Sequence, residues 1–489
     1  MDRPDSSRPV LSDRVLINGV VTPLTLFADG VLRWTEKAHR SLIVEKEVLG
    51  VKLEGPKIRI GALVDAGAGI FCVSSGGGGA LVRKDLVFEP LSHDSQKLWC
   101  QKLLEYIDSL GRPKRLFVFV NPFGGSKCAS KIFVDEVKPI FDDAGVVLTL
   151  QETQYQLHAK EVVKTMDLSK YDGIVCVSGD GILVEVVNGL LEREDWDTAI
   201  KMPLGVVPAG TGNGMAKSLL DSVGEPCKVS NAVLSIIRGH KRSLDVSTIW
   251  QGKTKFFSVL MLAWGLVADI DIESEKYRWM GSARLDFYAI QRIVHLRQYN
   301  GSISFVPAPG FEGFGEPTSY KDGGESTNSD PSQEKPVKVQ KLVYEGPDIN
   351  LENMNWRTIS GPFVSVWLHN VPWGGEDTKA APDAKFSDGY LDVIIMKACP
   401  KLSLLSLLTE LSTGGHVKSP YVQYFKAKAF VLEPGARAED PMKEGIVDSD
   451  GEVLARGKGA YKCDQKTLMA YNKLQITVDQ GLATLFSPE

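Results

Sequence analysis

The sequence predicts an α/β domain with a mostly parallel sheet, preceded by a β-rich extension and followed by a longer antiparallel β region. Three observations carry this. Between residues 112 and about 238, apolar runs alternate with segments of helical spacing, the pattern of right-handed βαβ units. On both sides of that stretch short β-type runs succeed one another, separated by turn residues, as in sandwiches and barrels. The chain's 489 residues, at roughly 150 per domain, leave room for about three units.

In residues 1–110 the runs VLING, LTLFADG, SLIVEK, KIRIGALV and ALVRKDLVF are divided by turns that include four glycines at 76–79, and none sustains helical spacing. Leu98, Cys100, Leu103, Leu104, Ile107 and Leu110 then recur at helical intervals until Gly111 stops them, which predicts a helix leading into the next domain. In residues 111–241 the strands RLFVFV, VVLTLQET, GIVCVSG and LGVVPAG alternate with the helices ASKIFVDEVKPIFDDAG, HAKEVVKTMDL and GILVEVVNGLLE. Residues 242–489 supply LDVSTIW, KFFSVLMLAWG, KLVYEG, FVSVWLHN, GYLDVIIMKA, YVQYFKAKAFVLE, LQITVDQ and ATLFS as strands. Residues 311–337 are almost free of aliphatic side chains and predict a disordered insertion, because burial there cannot offset ordering entropy.

Hydrophobic residues at 43% and charged residues at 24% exclude a wholly disordered, collagenous or coiled-coil chain. With 56 basic and 61 acidic residues the formal charge is -5, which argues against a nucleic-acid partner. The seven cysteines are scattered, odd in number and without zinc-ligand spacing, as reduced intracellular thiols are. The N-terminus lacks the apolar core of a signal peptide, and the longest apolar run, residues 256–270, falls short of the roughly 18 needed to span a bilayer. We therefore expect neither secretion nor a membrane-spanning segment.

Chemistry concentrates at three strand-to-helix corners. Asn121, Pro122, Phe123, Gly124 and Gly125 end an apolar strand, where glycines allow close backbone approach and the next helix favours an anion; a plain βα turn is the alternative. Ser178, Gly179, Asp180 and Gly181 form the second corner, and Asp180 reads either as a helix N-cap or as a functional acid at the ligand-binding edge of the sheet. Glu185 and Asn188 share a face of the following helix, and alone would be solvated. Gly210, Thr211 and Gly212 form the third corner, whose spacing fits no dinucleotide fingerprint. Asp450, Gly451 and Glu452 read as a hairpin turn. Asp269 and Asp271, two apart after an apolar run, share strand spacing, and are either a solvated acidic turn or the partner of a cationic amine.

NPFGGS at 121–126, VSGDGILVEVVNGL at 177–190 and PAGTGNGMA at 208–216 resemble the nucleotide-binding motifs of the diacylglycerol kinase catalytic superfamily. LAWGLVADIDIESEKYRWMGSARLDF at 262–287 is similar to the sphingosine kinases, and the N-terminal extension resembles that of plant long-chain-base kinases. The resemblance implies a nucleotide-binding α/β domain followed by an antiparallel β-sandwich lipid-binding domain. The extension is expected to be a pleckstrin-homology-like adaptor.

It further implies that Asp180 is the catalytic base and that Asn121, Pro122, Phe123, Thr153, Gln154, Tyr155, Gln156, Leu157, Glu185, Gly210, Thr211 and Gly212 bind nucleotide. Arg278 and Arg284 match phosphate-contacting arginines; Asp450, Gly451 and Glu452 match a DGE motif that returns acids to nucleotide and magnesium; Asp271 matches the amine contact. Ser126 and Lys127 depart from the family, which often has a basic residue directly after the double glycine. The expected reaction uses ATP and Mg2+ to phosphorylate the primary hydroxyl of a sphingoid base. The enzyme would be cytoplasmic, docked peripherally on an intracellular membrane. Ceramide, diacylglycerol or a soluble nucleotide are alternative acceptors, and a catalytically inert lipid-binding adaptor is the alternative of another class.

Overall fold

The computed structural model describes residues 8–36, 38–65, 79, 81–124, 127–319, 343–462 and 466–489. The N-terminal unit is a seven-stranded antiparallel sheet, ordered His39–Ile43, Val31–Thr35, Val20–Phe27, Pro9–Ile17, Leu81–Pro90, Lys57–Asp65, Val48–Glu54. Alternation along each strand turns Val15, Ile17, Leu24, Leu26, Ile58 and Ile60 inward. The helix His93–Ser109 starts where the Ser92 hydroxyl accepts from the Ser95 amide. Rather than bridging domains, it seals this sheet: Trp99 and Leu103 join its core, with Trp99 edge-on to Phe88 at 5.6 Å.

At the seam between this unit and the α/β domain Leu49 and Leu63 pack into the α/β core, and polar contacts surround them. The guanidinium of Arg112 donates to the carbonyls of Val44, Glu45, Val48 and Leu49, satisfying orphan acceptors around a four-residue helix, Val44–Glu47. Asp143, 5% exposed, ends a helix of the α/β domain and meets Lys52, Arg59 and Arg83 of the N-terminal sheet. Burial alone would push the Asp143 carboxyl up, but hydrogen bonds and charge from Arg83 and Lys52 outweigh it and hold the group below the usual range.

In the α/β domain four parallel strands lie side by side: Val147–Glu152, Arg115–Val120, Gly173–Ser178 and Leu204–Pro208. Their register sets Glu152 beside Val120, Val120 beside Val177, and Ser178 beside Pro208. All the C-terminal corners therefore open at one level. The sheet does not stop at the domain edge. The last strand, Leu474–Phe486, pairs with Leu204–Pro208 at Leu485, and antiparallel with Lys241–Gln251 and Gln423–Arg437. One 16-stranded sheet thus runs through both halves.

Several expectations need correction. The run KFFSVLMLAWG is two strands, Thr254–Ser258 and Met261–Gly265. LQITVDQ and ATLFS are one strand, bent at Gly481 with φ +62°. Residues 343–346, the described part of KLVYEG, form no strand. The C-terminal half contains helices Leu266–Glu273, Ala283–Val294 and Lys401–Glu410 that a strand-only reading passes over. Part of the expected disordered insertion is ordered: Phe311 and Phe314 pack on the core, and Glu316–Pro317 pairs with Arg357–Ser360. Two aromatic side chains supply the burial that the polar composition lacks. Residues 320–337 of that expectation lie outside the described residues.

The Asp143 cluster makes a pH-dependent prediction. Asp143→Asn should lower folding stability by about 1–3 kcal/mol, less than a fully buried pair because Lys52 and Arg83 keep 43% and 44% of their side chains exposed. Because the folded-state pKa is depressed, the wild-type advantage should be full above about pH 4 and vanish as pH falls through the folded value. Urea titrations of both proteins across that range check this.

Candidate active site

Carboxylates that cap helices other than their own tie the second glycine corner to the third and to the helix His158–Thr165. Asp180 is the first residue of the helix Asp180–Leu191, yet its side chain does not cap that helix. Its two oxygens accept instead from the amides of Gly214 at 2.7 Å and Met215 at 3.0 Å, the open N-terminus of Gly214–Asp221. Glu185, one turn on, accepts from Leu157 at 2.9 Å and Ala159 at 3.0 Å, and so caps His158–Thr165. Asn188 donates to Phe257 and accepts from its amide, tying the same helix to the next domain. Glu185 and Asn188 are thus buried, not solvated. Burial pushes the carboxyls of Asp180 and Glu185 up, against the backbone hydrogen bonds that hold them down.

The second and third corners touch backbone to backbone. A side chain on Gly210 would run into the Gly179 backbone, so the two glycines are required by proximity. Asn213, in the left-handed region at φ 57°, clamps the third corner by accepting from the Gly210 amide and donating to its carbonyl. Its amide also reaches Glu376 at 2.7 Å. At the first corner Asn121 accepts from the Phe123 amide in a local turn.

These corners form one end of a cavity of about 1210 Å³. Asn121, Phe123, Gly124, Thr153, Gln154, Tyr155 and Gln156 line it with Gly179, Asp180, Gly181, Glu185, Gly210, Thr211 and Gly212. Asp271, Arg278, Arg284, Asp450, Gly451 and Glu452 line it as well. Pro122, Leu157 and Ser178 do not border it, although Leu157 presents the amide that Glu185 captures. Gly125 lies outside the described residues. The lining also has an apolar set, with Ile270, Ile293, Ile394, Leu404, Leu407 and Leu411 in it.

The matching families follow this division. The Diacylglycerol kinase catalytic domain family matches residues 115–249, and the YegS C-terminal NAD kinase beta sandwich-like domain family matches residues 348–469. Sphingosine kinase 1 of Arabidopsis thaliana is 66% identical over 483 residues, 99% of this chain and 97% of that protein. This chain belongs to the sphingosine kinase family. Sphingosine kinase 2 of the same plant is 65% identical, covering 98% of each chain. Sphingosine kinase 1 of Homo sapiens is 33% identical over 358 residues, 71% of this chain and 87% of that protein.

In this family member the two central aspartates do not share a strand. The chain turns sharply at Gly265, φ +88°, into the helix Leu266–Glu273, where positions two apart point away from each other. Asp271 faces the cavity. Asp269 instead meets Arg297 at 3.1 Å and Tyr299 at 2.6 Å, an internal network that also takes in Glu273. Gly281, φ +63°, ends the short helix bearing Arg278, so Arg278 and Arg284 converge on Glu275 at 2.9 and 3.6 Å despite their spacing.

The DGE residues also divide. Asp450 accepts from the Leu260 and Met261 amides, each at 2.8 Å, and so fixes the strand entry. Glu452 accepts from Gln156 at 2.6 Å and is pushed up to about 7 by burial and by the charge of Glu185.

Sequence reasoning missed Glu376, Glu275 and the leucines of Lys401–Glu410. Only the last had a signal, the helical spacing of Leu404, Leu407, Leu408 and Leu411.

The close approach of corners is testable. Gly210→Ala should destabilise the fold by about 1–3 kcal/mol, as overpacking does, and weaken nucleotide binding more than binding of the lipid. Thermal melts and separate titrations of the two ligands check it.

Proposed function

We propose that this chain transfers the γ-phosphoryl group of ATP to the primary hydroxyl of a sphingoid base. The observation that carries the reading is a single cavity whose lining combines a polar, glycine-rich set around Asp180, the acid Asp271 and an apolar set that includes Leu404, Leu407 and Leu411. Nucleotide, reacting hydroxyl with its neighbouring ammonium, and alkyl tail each find a matching set of side chains there. An apolar tail contributes about 0.8 kcal/mol per buried CH₂.

Asp180 acts as proton acceptor. An aspartate cannot pre-form an alkoxide, since its ordinary pKa is near 3.9, so it orients the hydroxyl and takes the proton as the bond to phosphorus develops. Burial makes it a better acceptor, and the Gly214 and Met215 amides hold it still. Arg278, Arg284 and the corner amides offset phosphate charge, and positioning supplies the rest.

Among the described residues no group of three or more His, Cys, Asp or Glu could hold a metal. That fits magnesium, which arrives largely hydrated on the phosphates and takes one or two carboxylates. Glu452 is the residue that would help hold it; Asp450 is already committed to backbone amides. When bound, the ion neutralises charge on the phosphates.

The substrate is membrane-borne, and no helix among the described residues is long and apolar enough to cross a bilayer. Phe287, Ile290 and Val294 form one exposed face of a helix, with Trp279 and Leu402, each 82% exposed, nearby. The helices Ala283–Val294 and Lys401–Glu410 line the apolar cavity with their other faces. We read this patch as the peripheral docking surface on a cytoplasmic membrane face.

Labelled ATP offered with sphingosine, ceramide and diacylglycerol tests the reading: label in the free base is expected, and label in diacylglycerol alone would refute it. Asp180→Asn should cut kcat by at least roughly 10²-fold while nucleotide and lipid still bind. Near-normal turnover would reduce Asp180 to a helix cap. Asp271→Asn should lower kcat/KM for sphingosine roughly 30-fold or more, with ATP affinity hardly changed. An N-acylated analogue in the same detergent micelles measures the amine preference. Asp269→Asn should cost stability instead, because its partners are internal.

A further inference from the structure

The strand Ile446–Ser449 carries an acid that nothing above uses. Asp448 is fully buried, and neither of its oxygens accepts a hydrogen bond from an N–H or a hydroxyl. It stands at a register shift in the pairing with Glu452–Arg456 and faces Ala263 across the other edge. The helix Leu266–Glu273 packs on this strand and sets Asp271 in hydrogen-bond contact with Asp448, carboxyl to carboxyl. An ionised carboxylate only accepts, so such a contact needs one proton.

The surroundings decide which acid keeps it. Burial raises the Asp271 carboxyl above its ordinary range and Glu275 adds to this, but the Arg284 guanidinium and the contact with Asp448 both favour its ionised form. The charged groups that act most strongly on Asp448 are acids: Asp271, Asp450 and Glu452. We infer that Asp448 is a positioning residue, a neutral carboxylic acid whose O–H donates to Asp271 and aims that carboxylate, as the anion, into the cavity. The inference rests on the reading of Asp271 as the amine contact and supplies what holds it there. Burial and neighbouring negative charge both raise Asp448 well above the ordinary carboxyl range, in keeping with a retained proton.

Without this donor Asp271 keeps the Arg284 guanidinium against the opposing charge of Glu275, and its ionised form loses a stabilising bond. Asp448→Val fills similar space without a donor, whereas Asp448→Asn keeps an N–H to give. The Val variant should raise KM for sphingosine roughly tenfold or more, leave KM for ATP unchanged, and move the acidic limb of kcat/KM for the base to higher pH. Asn should restore both the KM and the limb. Asp448→Ala replaces Val should the latter fail to fold. Wild-type KM and pH limb in the apolar variant, or equal losses in Val and Asn, would overturn the inference. Asp271→Asn, run alongside, separates the two readings: unchanged amine preference there would refute Asp271 itself, whereas lost preference with a silent Asp448→Val would refute only the role of Asp448.

Discussion

The strand Leu474–Phe486 is the element on which the rest depends, because it hydrogen-bonds to both halves of the chain. It meets Leu204–Pro208 on the α/β side and Lys241–Gln251 and Gln423–Arg437 on the other. Where it crosses between them the ladder slips, between Leu244 and Val246. The side chain of Asp245 fills the gap by accepting from Gly389 at 2.7 Å and Gly481 at 2.6 Å. The cavity walls are therefore braced by main-chain hydrogen bonds rather than by a flexible domain hinge. Transfer between two bound substrates is sensitive to misplacement of about an ångström, so this bracing bears directly on turnover.

Within that frame, orientation is set by carboxylates that accept pairs of backbone amides. Asp180, Glu185 and Asp450 each do so, at a helix start or a strand entry. Amide pairs and helix dipoles keep such groups ionised, while burial opposes ionisation. The balance leaves Asp180 fixed in direction yet more basic than a solvated aspartate. Asp448, with no amide to accept from, goes the other way.

Much of this was legible in the sequence because strand period, helix period and glycine corners are local signals. The four parallel strands read directly, and most of the residues that the motif resemblance named border the cavity, although Glu275, Asp286, Glu376, Asp377 and Thr378, which border it too, were not among them. Three kinds of information were not local. The helix Leu266–Glu273, LVADIDIE, continues an apolar run and then alternates acids with isoleucines, so it imitates a strand although Gly265 has turned the chain. Phe311 and Phe314 are too few to register in a polar segment, yet the core has a place for both. Which helix a carboxylate caps depends on tertiary approach: Asp180 read as a cap, and it is one, but for a helix more than thirty residues further along the chain.

The acids that line the cavity have a consequence for the end of the reaction cycle. Asp271, Glu275 and Glu452 border the same space as the arginines. A cationic lipid head is drawn toward such a wall. Phosphorylation adds about -1.5 to -2 charge to that head at neutral pH, so attraction along the acidic wall gives way to repulsion once the nucleotide's γ-phosphate has moved. The same side chains that retain the substrate thus weaken the hold on the product, against the attraction that Arg278 and Arg284 exert on its phosphate.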